Sequence, residues 1–261
     1  MPVVDKPLIQ YAVEEARAAG IEQFIFVTGR GKSVLEDHFD IAPELNDALA
    51  RRRSQPGLEA AGAMVPPPGD IICVRQQEPK GLGHAVWCAR HLIGDEPVAV
   101  LLPDDLILAE TPCLAQMAAA HSRVGGNLVA VMEVPKEQTG RYGIISPGTR
   151  NERLIEVRGV VEKPPPAEAP STLAVIGRYI LESRLFDLLA RHEVGAGGEI
   201  QLTDAMAKMI GSGPFHGYRF AGERFDCGDK AGYFAAVIAF GLAHPAFGPG
   251  ARDIVAKYAK G

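Results

Sequence analysis

Apolar residues along the first half of the chain fall into two alternating spacings. Leu8, Ile9, Ala12, Val13, Ala16 and Ala19 recur at helical intervals, with Pro7 suited to a first helical position and Gly20 closing the run. Phe24-Ile25-Phe26-Val27-Thr28 then reads as a buried strand, ended by Gly29-Arg30-Gly31. A polar, helix-prone stretch follows, clearest over 44–53, and Pro66-Pro67-Pro68-Gly69 makes a turn. The same alternation continues with a strand over 71–75 and a helix marked by Leu82, Ala85, Val86, Ala89 and Leu92. Next come a strand over 98–102 stopped by Pro103, a helix over 114–121 and a strand over 128–134.

Strands that are apolar throughout, with helices between them, predict an α/β fold. Its mostly parallel sheet is expected to carry helices on both faces. In such sheets ligands bind beyond the carboxyl ends of the strands, so the residues just after each strand are the informative ones. The segment 143–180 breaks the pattern, because its short strand-like runs are separated by Pro and Gly. It is expected to be a small antiparallel insertion walling one side of a pocket, with Pro164-Pro165-Pro166 and Pro170 bounding an exposed loop. The remainder is helical: Leu202, Ala205, Met206, Met209 and Ile210 make one stripe, and Tyr233, Phe234, Val237 and Phe240 another. No internal repeat is visible, and 1–261 reads as one domain.

Charge narrows the functional classes. A net charge of −5 leaves no broad basic surface, so no nucleic-acid partner is expected. Anionic small molecules remain open, since a few cations and backbone N–H groups suffice for phosphates. No apolar run approaches the roughly 20 residues of a membrane helix, and the first residues lack a secretory pattern. Cys73, Cys88, Cys113 and Cys227 form no C-x-x-C pair and have apolar neighbours. Buried, reduced thiols and a cytoplasmic setting follow.

Four stretches hold the candidate chemistry. Residues 76–85 read Gln-Gln-Glu-Pro-Lys-Gly-Leu-Gly-His-Ala, between a strand and a helix. Gly81 and Gly83 permit close backbone approach, and Gln76 offers the donor and acceptor that a nucleobase edge needs. An ordinary strand-to-helix turn would look similar. Asp104 and Asp105 end an apolar strand, which suits Mg²⁺ or, equally, a helix cap. Glu162 and Lys163 end another strand, where they could meet sugar hydroxyls and a phosphate or simply be a solvated pair. Asp226 follows a short apolar run and says little alone.

Together these stretches resemble the bacterial UTP–glucose-1-phosphate uridylyltransferases from Pro2 almost to the end. The resemblance is carried by Pro2-Val3-Val4-Asp5-Lys6-Pro7-Leu8-Ile9, Phe26-Val27-Thr28-Gly29-Arg30-Gly31-Lys32, Gly81-Leu82-Gly83-His84-Ala85 and Leu102-Pro103-Asp104. Arg141-Tyr142-Gly143, Val161-Glu162-Lys163-Pro164 and Gly198-Glu199-Ile200-Gln201-Leu202-Thr203-Asp204 complete it, in the same order. It implies a Rossmann-like nucleotide-diphospho-sugar transferase fold. Gln76 and Gly81 would read the uracil, and Gly143, Glu162 and Gly177 would hold the glucose. Asp104 and Asp226 would carry Mg²⁺, and Lys163 would bind the sugar phosphate. UTP and glucose 1-phosphate would give UDP-glucose and pyrophosphate, and members are usually homo-oligomers. His84 reads as a structural helix residue.

No general base is needed, because a phosphate monoester has its second pKa near 6 and is mostly dianionic at neutral pH. Family members also carry, before the segment matching Met1-Pro2, a first strand and a Gly-rich loop that wraps the triphosphate. The sequence predicts a domain without that strand and loop, with impaired activity. Two other readings stand beside this one: a nucleotidylyltransferase for dTTP or CTP, and a non-catalytic nucleotide-sugar binder.

Overall fold

The computed structural model describes residues 1–259, the side chains at 56, 60, 61, 63 and 64 apart. A short hairpin of β1 (Pro2–Val3) and β2 (Lys6–Pro7) leads into α1 (Leu8–Ala18). Pro7 occupies the cap, in extended conformation, rather than the first helical turn. Strand β3 (Phe24–Thr28) is followed by α2 (Ser33–Asp37), α3 (Pro43–Arg51) and α4 (Gln55–Met64) before β4 (Ile71–Arg75). Then come α5 (Leu82–Cys88), β5 (Val98–Leu101), β6 (Asp105–Leu108), α6 (Cys113–Val124) and β7 (Asn127–Glu133). The centre of the chain supplies β8 (Gly143–Asn151), β9 (Leu154–Glu162) and β10 (Leu173–Leu181). The chain continues through α7 (Leu185–Leu189), α8 (Leu202–Met209), β11 (Phe215–Arg219), β12 (Glu223–Asp226), α9 (Lys230–Ala243) and α10 (Gly248–Tyr258).

The α/β layering follows the expectation, and the strand directions refine it. The main sheet has six strands in the order β5-β10-β7-β11-β9-β8. Only β7 and β11 pair in parallel there, and every other pairing in that sheet is antiparallel. The sheet is therefore mixed rather than mostly parallel. A second parallel pair, β3 with β4, stands as a separate two-stranded sheet, and β6 with β12 forms a small antiparallel one. Segment 143–180 is also more than an appended wall. Its strand β10 runs between β5 and β7, and all nine of its residues are buried. Apolar content signals a strand buried on both faces, but it carries no information about direction.

Side chains on β7 show how two cores share one strand. Val129 and Val131 face a core with α7 and α8, while Leu128 and Ala130 face another with α1 and α6. That is the two-residue period of a strand covered on both sides. By contrast, Cys73 is exposed although Cys113 and Cys227 are buried and Cys88 is half-buried. β4 belongs to a two-stranded sheet and turns Cys73 and Arg75 outward, so the expectation of four buried thiols fails at Cys73 and is only half met at Cys88. No helix among the described residues is long and apolar enough to cross a membrane.

Candidate active site

A cleft of about 210 Å³ opens where β5, β8, β9, β10 and β12 end or bend. Its lining includes Asp104, Gly143, Glu162, Gly177 and Asp226. Five residues singled out in the sequence, from five separate segments, thus meet in one place.

The floor is built from buried charge. β10 changes register between Val175 and Tyr179, and this irregularity delivers Gly177 and Arg178 toward the cleft. Arg178 is only 1% exposed, yet all five of its N–H donors are engaged. Its Nε and Nη2 donate to Glu15 Oε1 at 3.0 Å and Oε2 at 2.9 Å. The remaining three reach the carbonyls of Leu102 (2.9 Å), Gly177 (2.9 Å) and Asp105 (2.7 Å). A buried cation is tolerable only when satisfied in this way. The pair ties α1 to the loop that carries Asp104.

Asp105 has a different task from its neighbour. Its Oδ2 accepts the Gly177 N–H at 2.6 Å, and its Oδ1 accepts from Arg224 Nε at 2.7 Å and from Nη2. Burial pushes the Asp105 carboxyl above the usual carboxylate range, against the pull of Arg224 and of the Gly177 N–H. Both oxygens are occupied by the protein. Gly177 has to be glycine here, since a Cβ would lie 2.6 Å from Leu102 Cβ and 2.7 Å from Asp105 Oδ2.

Asp104 and Asp226 instead flank Gly228: a Cβ built there would lie 3.5 Å from Asp104 Oδ2 and 3.2 Å from Asp226 Oδ1. The Cys227 N–H donates to the Asp104 carbonyl at 2.8 Å, which holds the two segments together. Arg141 Nη2 lies 3.2 Å from Asp226 Oδ2, and Arg224 Nη2 lies 3.5 Å from the same oxygen. Among the described residues no cluster of three or more His, Cys, Asp or Glu forms a metal cage. Two carboxylates are the donor set that suits a hard cation sharing its other positions with water and phosphate.

Glu162 and Gly143 are cross-strand partners on β9 and β8. Thr203 Oγ1 donates to Glu162 Oε2 at 2.7 Å, and a Cβ on Gly143 would crowd both groups. Lys163 follows with φ of 47°, a left-handed conformation costly for a side-chain-bearing residue. The turn is fixed by its N–H, which donates to the Tyr142 carbonyl at 2.9 Å. Lys163 Nζ stands 3.4 Å from Glu162 Oε1, and its side chain is half exposed.

Gln76 and Gly81 lie beside the cleft rather than in its lining, joined by a 3.0 Å bond from Gln76 Nε2 to the Gly81 carbonyl. Gly81, at φ of 100°, and Gly83 pack on the segment around Ile200 so closely that a Cβ on either would overlap its backbone. Ile200 accepts from Gly83 N–H at 2.9 Å and donates to the Lys80 carbonyl at 2.8 Å. Gln201, Leu202 and Thr203 continue into the cleft lining, so one stretch links both ends of the site.

Arg224, Thr203, Tyr142 and Gln201 were not singled out from the sequence. Arg224 carried a usable signal: it sits two residues before Asp226 on a strand and so shares its face. Thr203 and Tyr142 lie inside recognised motifs, but nothing in a motif says which member points inward.

The chain belongs to the nucleotidyl transferase family, whose sequence pattern spans residues 1–239. Enzymes of this family generally use a divalent metal. Within it, the chain is 53% identical over 230 residues to the UTP–glucose-1-phosphate uridylyltransferase of Komagataeibacter xylinus, covering 88% of this chain and 81% of that protein. Among solved structures, UTP-bound UGPase from Acinetobacter baumannii matches with a TM-score of 0.89 and 38% identity, covering 97% of this chain and 88% of that one. UDP-glucose pyrophosphorylase complexed with UDP-glucose matches with a TM-score of 0.81 and 40% identity, covering 92% of this chain and 88% of that one. The resemblance to bacterial uridylyltransferases is thereby borne out.

Proposed function

We propose that the chain joins UTP and glucose 1-phosphate to give UDP-glucose and pyrophosphate. The observation that carries this is the meeting of Asp104 and Asp226 with Glu162, Gly143 and Gly177 in one cleft. An oxygen of the sugar phosphate attacks the α-phosphorus of UTP. The new O–P bond forms as the bond to the β-phosphate oxygen breaks, and pyrophosphate leaves with that electron pair. No proton need be removed from the nucleophile. The obstacle is repulsion between two anions, so the site must align them and offset charge.

Each side chain takes a part of that work. Gln76 and Gly81 hold the uracil. Glu162 accepts hydrogen bonds from glucose hydroxyls, aligned by Thr203, while Gly143 and Gly177 leave room for the ring. Lys163 offsets charge on the incoming phosphate. Asp104 and Asp226 hold the divalent metal, and Mg²⁺ is the ion that a two-carboxylate set with phosphate oxygens favours. When bound, it supplies Lewis-acid neutralisation of phosphate charge.

We further propose a cytoplasmic homo-oligomer. The cysteines are free thiols, and burial raises Cys113 to about 12 and Cys227 to about 11, which keeps both unreactive. α9 is almost wholly apolar, yet its Phe234 is 66% exposed, as a helix awaiting a second copy would be. Light scattering at several concentrations tests the assembly. A pyrophosphate-release assay across four nucleotides and several sugar phosphates tests the activity: UTP with glucose 1-phosphate should turn over fastest. A preference for dTTP or CTP, or binding of UDP-glucose without turnover, would replace this reading.

A further inference from the structure

The two carboxylates proposed to hold the metal differ in what already holds them. Among the described residues no ion pair reaches Asp104. Asp226, by contrast, is engaged at both oxygens. Its Oδ1 accepts the Gly228 N–H at 3.1 Å. Its Oδ2 faces two guanidinium groups, Arg141 Nη2 at 3.2 Å and Arg224 Nη2 at 3.5 Å. A divalent ion approaching that oxygen meets like charge, so one of the two arginines has to yield.

The two are held very differently. The Arg224 side chain is 8% exposed. Its Nε and Nη2 donate to Asp105 Oδ1, and its Nη1 donates to the Tyr142 hydroxyl at 3.1 Å. Pulling it away would leave a buried charge unpaired. The Arg141 side chain is half exposed. Among the described residues it meets only Asp226, Asp229 at 3.7 Å and the face of Tyr142 at 5.9 Å. Ion pairs this exposed are weak. Arg141 also ends the 3₁₀ turn Lys136–Arg141 just before β8 and lines the cleft itself. Its guanidinium can therefore leave Asp226 without leaving the site.

We propose that Arg141 is the displaceable counter-ion of Asp226. It holds the carboxylate before a metal binds, gives way when the ion arrives, and then turns to the substrate phosphates in the same cleft. A guanidinium fork fits phosphate oxygens as well as it fits a carboxylate, so the exchange trades one charged partner for another. Asp226 stays paired throughout, and the freed cation becomes available to phosphate only once the metal is seated. The inference rests on the reading of Asp104 and Asp226 as the metal carboxylates.

Binding measurements on the full chain test it, and Mn²⁺ serves as the probe because it takes the same oxygen ligands as Mg²⁺. Free Mn²⁺ is read by its paramagnetic resonance signal. With Mn²⁺ alone, Arg141→Gln should bind the ion roughly two- to fivefold more tightly than the unaltered chain, because the competing cation is gone. Calorimetric titration with UDP-glucose should show the opposite sign. With Mn²⁺ present, Arg141→Gln should weaken UDP-glucose by roughly tenfold. With the metal chelated, the same substitution should leave UDP-glucose affinity unchanged. Equal weakening in both conditions would mean that Arg141 acts only as a fixed positive charge, and it overturns the inference. Unchanged Mn²⁺ affinity in Arg141→Gln overturns it too, and leaves the metal reading standing. Asp104→Asn separates the two claims: it should loosen Mn²⁺ with or without Arg141. If it does not, the metal reading falls and the inference falls with it.

Discussion

The two ends of the site are built by different means. At the proposed metal and sugar end, side chains are cross-tied to distant parts of the chain: Arg178 to Glu15, and Arg224 to Asp105. At the proposed base end, Gln76, Gly81 and His84 lie within a few residues of one another, and backbone support from outside comes from Ile200. Charge explains the contrast. Holding carboxylates close together near phosphates calls for buried, fully paired guanidinium groups, and those need a core around them. Reading an uncharged base edge needs only a donor and an acceptor correctly aimed.

If that contrast holds, damage should differ in kind at the two ends. The largest effect is expected from Glu15→Ala, which strands the Arg178 cation in the core. Urea unfolding should show a loss of about 3–5 kcal/mol. A loss below about 1 kcal/mol would mean that the buried pair is not what anchors this end. Asp104→Asn should spare stability while lowering turnover by about 10²–10³-fold, in line with the loss of one strong electrostatic contact. Metal-dependent turnover at the original rate would remove Asp104 from the metal.

Gly177→Ala lies between these. The added Cβ would overlap Leu102 and Asp105, so a destabilisation of about 1–3 kcal/mol should accompany reduced turnover. The smallest effect is expected from Asp204, whose carboxyl burial holds above the ordinary value of 3.8, with Glu162 adding to the shift. The folded chain therefore binds this proton more tightly than the unfolded chain. The contribution of Asp204 to stability is greatest below pH 3.8 and is lost as pH rises through the raised value. Asp204→Asn should flatten that small slope in thermal melts collected across acid pH.

How much of this was legible in the sequence also divides along the same line. The base-end turn is contiguous, so its glycines and Gln76 stood out as a strand-to-helix loop. The metal end was visible only as separate strand endings at Asp104, Glu162 and Asp226. Their convergence depends on β10 lying between β5 and β7, and an apolar run such as 173–181 does not reveal its direction. Arg178 was invisible for a related reason, since one arginine within a strand reads as an outward-facing charge. Only the paired Glu15, 163 residues away in sequence, makes its burial possible.

The central claim is that one cleft joins uridylyl and glucose phosphates. Pyrophosphate release by the purified chain, with Mg²⁺, UTP and glucose 1-phosphate, tests it most directly. The account predicts release that requires all three and that collapses in Asp104→Asn and Asp226→Asn alike. Release that proceeds without glucose 1-phosphate, or that survives loss of both carboxylates, would contradict it.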